Sequence, residues 1–328
     1  MLCRALLFLK KKTFEKRSYD ILHRDLRRAE KGSDFMNQNK LVRRSYPLYL
    51  LLPAVLIFTV FYTGAIIASF YYSFTNWSIF NVDNYTFTGF TNIELLLEDE
   101  KFKIAIINVF LFNIGTTFFK TLFGLGLGLW LNMKFRGRNL FRTIFYLPCI
   151  LSPLVIGYIF KFVLHPDGLL NDVLTSIGLS SLTSQWFGDA SMAMFSVGIV
   201  EVWTWSGFCA VIFLAGLQSI PMEILEAASI DGANIWQSFR HIKFPDLRPS
   251  FTIVVILNVI GGFKVFGLVM ATTNGGPGFA TEVFSTLVYK QQAQGLFGYA
   301  SAIGLVQFLV IAVVTIPTLL LLKRWEES

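Results

Sequence analysis

Long apolar runs separated by short polar segments dominate this chain. Six runs are long enough to cross a bilayer core, which takes about 20 helical residues. They lie near 47–75, 104–132, 143–164, 192–219, 250–272 and 298–322. The runs are continuous rather than alternating, and backbone inside a membrane must satisfy its own hydrogen bonds, so they are read as helices. The first is about 29 residues, or about 43 Å as helix, and is expected to tilt or to emerge into water. Pro148 and Pro153 fall within or beside the third run and allow kinks there.

The polar segments alternate in charge. Most of the 28 Lys and Arg lie in 1–46, in the loop with Lys134, Arg136, Arg138 and Arg142, in the loop with Arg240, Lys243 and Arg248, and at Lys323 and Arg324. With six spans these segments share one side, which the positive-inside rule makes the cytoplasm, with both termini inside. The opposite loops are acidic, carrying Asp83, Glu94, Glu98, Asp99, Glu100, Asp167, Asp172 and Asp189. Composition agrees with a membrane protein: 54% hydrophobic, 16% aromatic and 15% charged, with 34 phenylalanines. A net charge of +7 could point to nucleic acid, but its distribution follows topology rather than a basic patch, so no nucleic-acid partner is expected and lipid is. Cys149 and Cys209 sit inside apolar runs, and none of the three cysteines has ligand spacing.

The expected organisation is a basic cytoplasmic tail over 1–46 and an all-α polytopic permease domain over 47–328. In the tail, Phe14, Tyr19, Ile21, Leu22 and Leu26 recur among basic residues, which fits a membrane-surface helix as well as a plain basic tail. Ala5–Leu9 is too short for a signal-peptide core, and no small-residue cleavage site follows.

The polar segment 220–250 carries the most specific text: Glu226-Ala227-Ala228-Ser229-Ile230-Asp231-Gly232, then Ile242-Lys243-Phe244-Pro245. Met222 to Asp231 reads as a short helix, with Ala227 and Ala228 keeping one face slim and Gly232 able to end it at positive φ. A second short helix places Trp236, Phe239 and Arg240 on one face, and Phe244-Pro245 is expected to break it before the fifth span. This text resembles the EAA loop of inner-membrane permease subunits of binding-protein-dependent ABC importers, in the wording of the maltose and glycerol-phosphate type. Two other stretches are similar to that family. One is Pro166-Asp167-Gly168-Leu169-Leu170-Asn171 with Trp186; the other is Thr273-Asn274-Gly275-Gly276-Pro277-Gly278 with Gly298-Tyr299-Ala300. Asn274 stands where the family usually has glycine, and Gly267 where it usually has Asp. Met36 opens a stretch more like the family's usual start, which would make 1–35 an extension.

The resemblance covers about 45–325 and implies the type I importer permease fold, in a prokaryotic cytoplasmic membrane. It implies a sugar or sugar-like solute, a second homologous permease, two ATPase subunits and an extracytoplasmic solute-binding protein. Glu226, Ala227, Ala228, Asp231, Gly232, Trp236, Phe239, Arg240 and Pro245 would engage the ATPase. Asp167, Gly168, Gly275, Gly276 and Pro277 would face the binding protein, although the first two also fit a tight loop. No G-x-x-x-x-G-K-[ST] occurs in the chain, so ATP and Mg²⁺ would sit on the partner and this chain would hold no cofactor or metal and do no chemistry.

For the solute path, Glu201, Trp203, Asn258 and Lys264 are the expected lining, since sugars take hydrogen bonds and aromatic faces. Charged residues at mid-depth cost about 2.5–3.5 kcal/mol facing lipid and so turn inward. Glu201 could instead pair with a lysine, and Trp203 could belong to helix packing. An ion-coupled secondary transporter is the alternative reading. It would favour repeated halves and several intramembrane acids, whereas Glu201 is the one convincing mid-span acid.

Overall fold

The computed structural model describes residues 48–327, and these are almost entirely helical, with one isolated bridge between Thr75 and Phe87. The tail reading over 1–46 lies outside the described residues. Among the described residues, four helices are long and apolar enough to cross a membrane, or up to six if two bent helix pairs each count as one span. The chain divides after Ile67. In the first unit, a 3₁₀ turn (Leu48–Leu51) leads into α1 (Leu52–Tyr72), which starts with Pro53 in its first turn and has a π-helical stretch at Thr59–Gly64. Phe58 and Tyr62 stack there at 4.9 Å.

The second unit begins within α1 and is built around two long helices. α2 (Thr91–Glu98) precedes α3 (Glu100–Asn132), and α4 (Arg138–Ile150), α5 (Pro153–Val163) and α6 (Leu169–Ser176) follow. Then come α7 (Ala190–Ser219), α8 (Met222–Ile230) and α9 (Ile235–Asp246). The remainder is α10 (Arg248–Phe263), α11 (Gly267–Thr272), α12 (Phe284–Ala293) and α13 (Phe297–Glu327). Both long helices start on an aspartate: Asp99 accepts from the Lys101 amide and Asp189 from the Ser191 amide. That bond, with a second from the Ser191 hydroxyl, holds the Asp189 carboxyl below its ordinary pKa.

α3 and α7 pack along most of their length, burying Val109, Phe112, Val197, Val200, Cys209 and Phe213. The packing depends on small residues, as expected where lipid gives no hydrophobic drive for helices to associate. Gly207 shows the tightest case: a Cβ there would collide with the Phe145 carbonyl carbon and oxygen of α4. Gly207→Ala is therefore expected to push α4 off α7 and cost roughly 1–3 kcal/mol. A thermal-unfolding midpoint in detergent reads this out, and an unchanged midpoint would contradict the close approach.

Three expected elements differ in the structure. The third run is two helices, α4 and α5, bent by 99° at Leu151–Ser152. Pro148 is accommodated inside α4, and Pro153 opens α5 in a first turn, where its missing N–H costs little. The fifth run ends as helix at Phe263 rather than 272: the Lys264 and Val265 amides turn back onto the Gly261 and Gly262 carbonyls, and the chain breaks over Lys264–Phe266 before α11. Phe244-Pro245 does not break the second loop helix. Wider π-type turns at Phe239–Lys243 carry the chain through Pro245, and the 63° bend falls after it, between α9 and α10.

Candidate functional site: the α8–α9 hook and the intramembrane polar groups

The segment between α7 and α10 forms a helical hook. Pro221 is the N-cap of α8, with φ −58° and ψ 132°. Glu226 and Ala227 are exposed and Ala228 is half-buried. Asp231 caps the C-terminus, and Gly232 takes φ +79°, the left-handed conformation that a β-branched residue resists. The Ala233 amide donates to the Ala228 carbonyl at 2.9 Å and the Gly232 amide to Ser229 at 3.2 Å, the paired bonds of a Schellman turn. Next, Asn234 and Gln237 form a reciprocal capping box at 2.8 Å each way. That box was missed in the sequence, although Asn-x-x-Gln ahead of a helix is its signature. The corner between α8 and α9 is therefore fixed by four hydrogen bonds within the ten residues from Ala228 to Gln237.

The hook presents apolar surface. Ile230 is 86% exposed, Ile235 87% and Trp236 64%, on a segment otherwise carrying Asp231, Arg240 and Lys243. Trp236 and Phe239 share a face with ring centroids 5.7 Å apart, Arg240 is exposed beside them, and Phe239 is half-buried. Exposed large side chains gathered in this way are an apolar patch open to contact with another surface.

The substrate-path candidates do not converge. Glu201 is buried and pairs with Lys120 across α3 and α7 at 3.4 Å. Asn258 is buried on α10, where its amide meets the Cys209 sulfur at 3.3 Å. Lys264 is exposed at the end of α10. Trp203 packs edge-on to Phe160 and lines an apolar groove of about 840 Å³ with Phe119, Phe145, Pro148 and Phe195. Glu201, Asn258 and Lys264 are absent from that lining.

The other two stretches that resemble the family are both tightly built. Asn171 holds the first: its amide donates to the Pro166 and Ser184 carbonyls, and its oxygen accepts from the Trp186 indole at 2.9 Å. Gly168 is buried where a Cβ would overlap the Phe162 carbonyl, whereas Asp167 is exposed beside His165. In the second, Gly275 is buried, and the Gly276–Pro277 bond is cis. Glu282, fully buried, pairs with Lys290 at 2.5 Å, and Lys290 also donates to the Asn274 carbonyl at 2.9 Å. Asn108 ties this loop to α3 through the Phe279 and Glu282 carbonyls, each at 3.1 Å. The Glu282–Lys290 pair carries no sequence signature beyond an i, i+8 spacing that spans a loop and a helix.

A bundle of long apolar helices with an exposed, hydrogen-bonded hook between two of them is the architecture of a multi-pass membrane protein. Residues 120–326 match the family described as the binding-protein-dependent transport system inner membrane component, and the chain belongs to that family. It is similar to the probable ABC transporter permease protein YurN of Bacillus subtilis, 36% identical over 297 residues, covering 89% of this chain and 100% of that protein. It is also similar to the multiple sugar-binding transport system permease protein MsmF of Streptococcus mutans, 34% identical over 279 residues, covering 85% of this chain and 95% of that one. Its fold matches that of a chain in a bacterial ABC transporter involved in the import of the acidic polysaccharide alginate. That match has a TM-score of 0.75 at 24% identity, over 88% of this chain and 99% of the other.

Proposed function

We propose that this chain forms half of the translocation path of an ABC importer for a sugar or sugar-derived solute and takes its energy from a separate ATPase subunit. The observation that carries the reading is the α8–α9 hook, with its fixed corner and its exposed Ile230, Ile235 and Trp236. A rigid apolar projection fits a cleft in a partner, and family membership makes a nucleotide-driven subunit the fitting partner. The names of relatives that carry multiple sugars or starch degradation products, and the alginate importer of like fold, support a carbohydrate cargo.

In this reading Glu226, Ala227, Ala228, Asp231, Gly232, Trp236, Phe239, Arg240 and Pro245 form the coupling element. Glu226 offers a carboxylate to a basic residue of the ATPase, and Ala227 and Ala228 permit close approach. Two ATPase subunits, a second permease and an extracytoplasmic solute-binding protein complete the assembly. ATP and Mg²⁺ belong to the ATPase, and the loops around Asp167, Gly168, Gly275, Gly276 and Pro277 meet the binding protein. For the path itself, Trp203 on the 840 Å³ groove is the best supported of the candidates, because its ring is open to a passing solute. Glu201 and Asn258 act as packing groups of the wall behind it.

Glu226→Ala tests the coupling element. In vesicles containing the assembled transporter, it should reduce the stimulation of ATP hydrolysis by the loaded binding protein by about threefold to tenfold, as expected for loss of a charge-assisted contact of roughly 1 kcal/mol. Unchanged stimulation would remove Glu226 from the coupling role.

A further inference from the structure

α13 is fully buried only near its N-terminal end; its middle packs on the core through partly buried Val306, Val310, Ile311 and Val314, and Gln307 donates to the Phe263 carbonyl at 2.9 Å. Its buried residues are Gly298, Ala300, Ala302 and Ile303, all in the first two turns, and none is buried from Gly304 to Glu327. Along its middle, a groove of about 620 Å³ opens between α3, α10 and α13, with Phe118, Leu125, Val255, Val314 and Thr318 on its walls. At the C-terminal end the Trp325 indole closes back onto the body. It lies 5.9 Å from the ring of Phe244 and 6.0 Å from that of Phe251, both edge-on, and the Arg248 guanidinium sits 5.3 Å over its face.

Those partners are the last turn of the hook and the first turn of α10. The rings continue in both directions. Trp236 touches Phe239, Phe239 meets Phe244 at 5.9 Å, Phe244 meets Phe251 at 5.5 Å, and Phe251 meets the fully buried Phe213 of α7 at 4.8 Å. An unbroken line of aromatic contacts therefore runs from the exposed tip of the hook to α7 and α10, and Trp325 is the branch that brings in α13. Close-packed rings resist shear and pass a displacement on, because a gap of even 1 Å forfeits much of the contact energy.

We propose that Trp325 is a positioning residue that clamps the last span to the coupling hook, so that movement of the hook carries the C-terminal half of α13 with it. The proposal rests on the coupling reading given above. Arg248 strengthens the clamp by cation–π attraction, which also commits a guanidinium to a place where a lysine could not stack as well. The groove beside Val314 and Thr318 leaves space into which the C-terminal half of α13 can shift against α3 and α10.

The test uses the assembled transporter with its copurified ATPase and binding protein, in a cysteine-free background. Spin labels at Leu321→Cys on α13 or Ile253→Cys on α10 are paired with a reference label at Ile107→Cys on α3, all exposed positions. Distances are compared without nucleotide and after trapping with Mg-ATP and vanadate. With Trp325 present, both pairs should shift on trapping. With Trp325→Ala the α10 pair should keep its shift and the α13 pair should fall below half of it, while Trp325→Phe restores the α13 shift. Arg248→Gln, which leaves the rings in place, should give a partial loss. An unaltered α13 shift in Trp325→Ala overturns the clamp alone, and so does loss of both shifts in that variant. No α10 shift with Trp325 present overturns the coupling reading itself.

Discussion

Lys120→Ala should unfold or grossly weaken the α3–α7 helix pair, with a loss of about 3–5 kcal/mol from a carboxylate stranded without its partner. Lys120 and Glu201 meet at 3.4 Å with side-chain exposures of only 2% and 9%. Both side chains are buried where α3 and α7 pack together, and α7 also buries Val200, Thr204 and Cys209 on neighbouring turns. Breaking the pair is therefore worse than removing it. The double substitution Lys120→Met with Glu201→Met should recover most of the lost stability, since apolar residues of similar volume often replace a buried pair at little cost. Thermal midpoints in detergent for the two singles and the double measure this directly. If the double is no more stable than either single, the pair is not the interaction that matters. The same series addresses transport: a double variant that folds and still carries solute would place Glu201 in the wall and not on the path.

Gly232→Val should uncouple the transporter while leaving the bundle folded. Gly232 holds φ +79° in open space, so the obstacle to valine is the backbone conformation and not a clash. A β-branched residue forced into the left-handed region costs about 1–3 kcal/mol, and escaping that strain means abandoning the Schellman bonds from Gly232 and Ala233. The corner between α8 and α9 would then open and turn Ile235 and Trp236 away from Ile230. Docking of the ATPase should weaken by roughly fivefold to a hundredfold. Copurification of the ATPase with the tagged chain, followed by titration of the ATPase, reads this out. Full-strength assembly in Gly232→Val would mean that the fixed corner is not what the partner recognises. Gly232→Asn, which tolerates positive φ, should lie between the two.

Much of this was legible in the chain because two physical signals are strong in membrane proteins. Continuous apolar length marks α1, α3, α7 and α13, and each was placed to within a few residues. The short α8 with its glycine stop was readable because helix ends have their own chemistry, here Gly232 in the left-handed conformation just past Asp231. Hydropathy failed where a run is apolar but not straight. A 99° bend between α4 and α5 changes direction without changing composition, and Pro153 in a first turn is compatible with a kink or with a full break. Pro245 misled in the opposite sense, since a π-type stretch absorbs the missing donor and keeps the helix running. For the path residues the limit was different. Mid-span polarity identified Glu201 and Asn258, but whether a polar group faces a cavity or a partner depends on which helix lies opposite. Lys120 and Cys209 come from 81 and 49 positions away in the chain. The Glu282–Lys290 pair and the Trp325 branch share that character, being contacts between elements that no local spacing encodes.

In the proposed function this permease is driven by ATP on a partner and not by an ion gradient. The most direct measurement is uptake into vesicles holding the tagged chain with the subunits that copurify with it, using a panel of radiolabelled mono- and oligosaccharides and the binding protein outside. Uptake of a member of the panel should require ATP inside, stop with vanadate and continue when ionophores collapse every ion gradient. Uptake that persists with vanadate and stops with the ionophores would contradict the account.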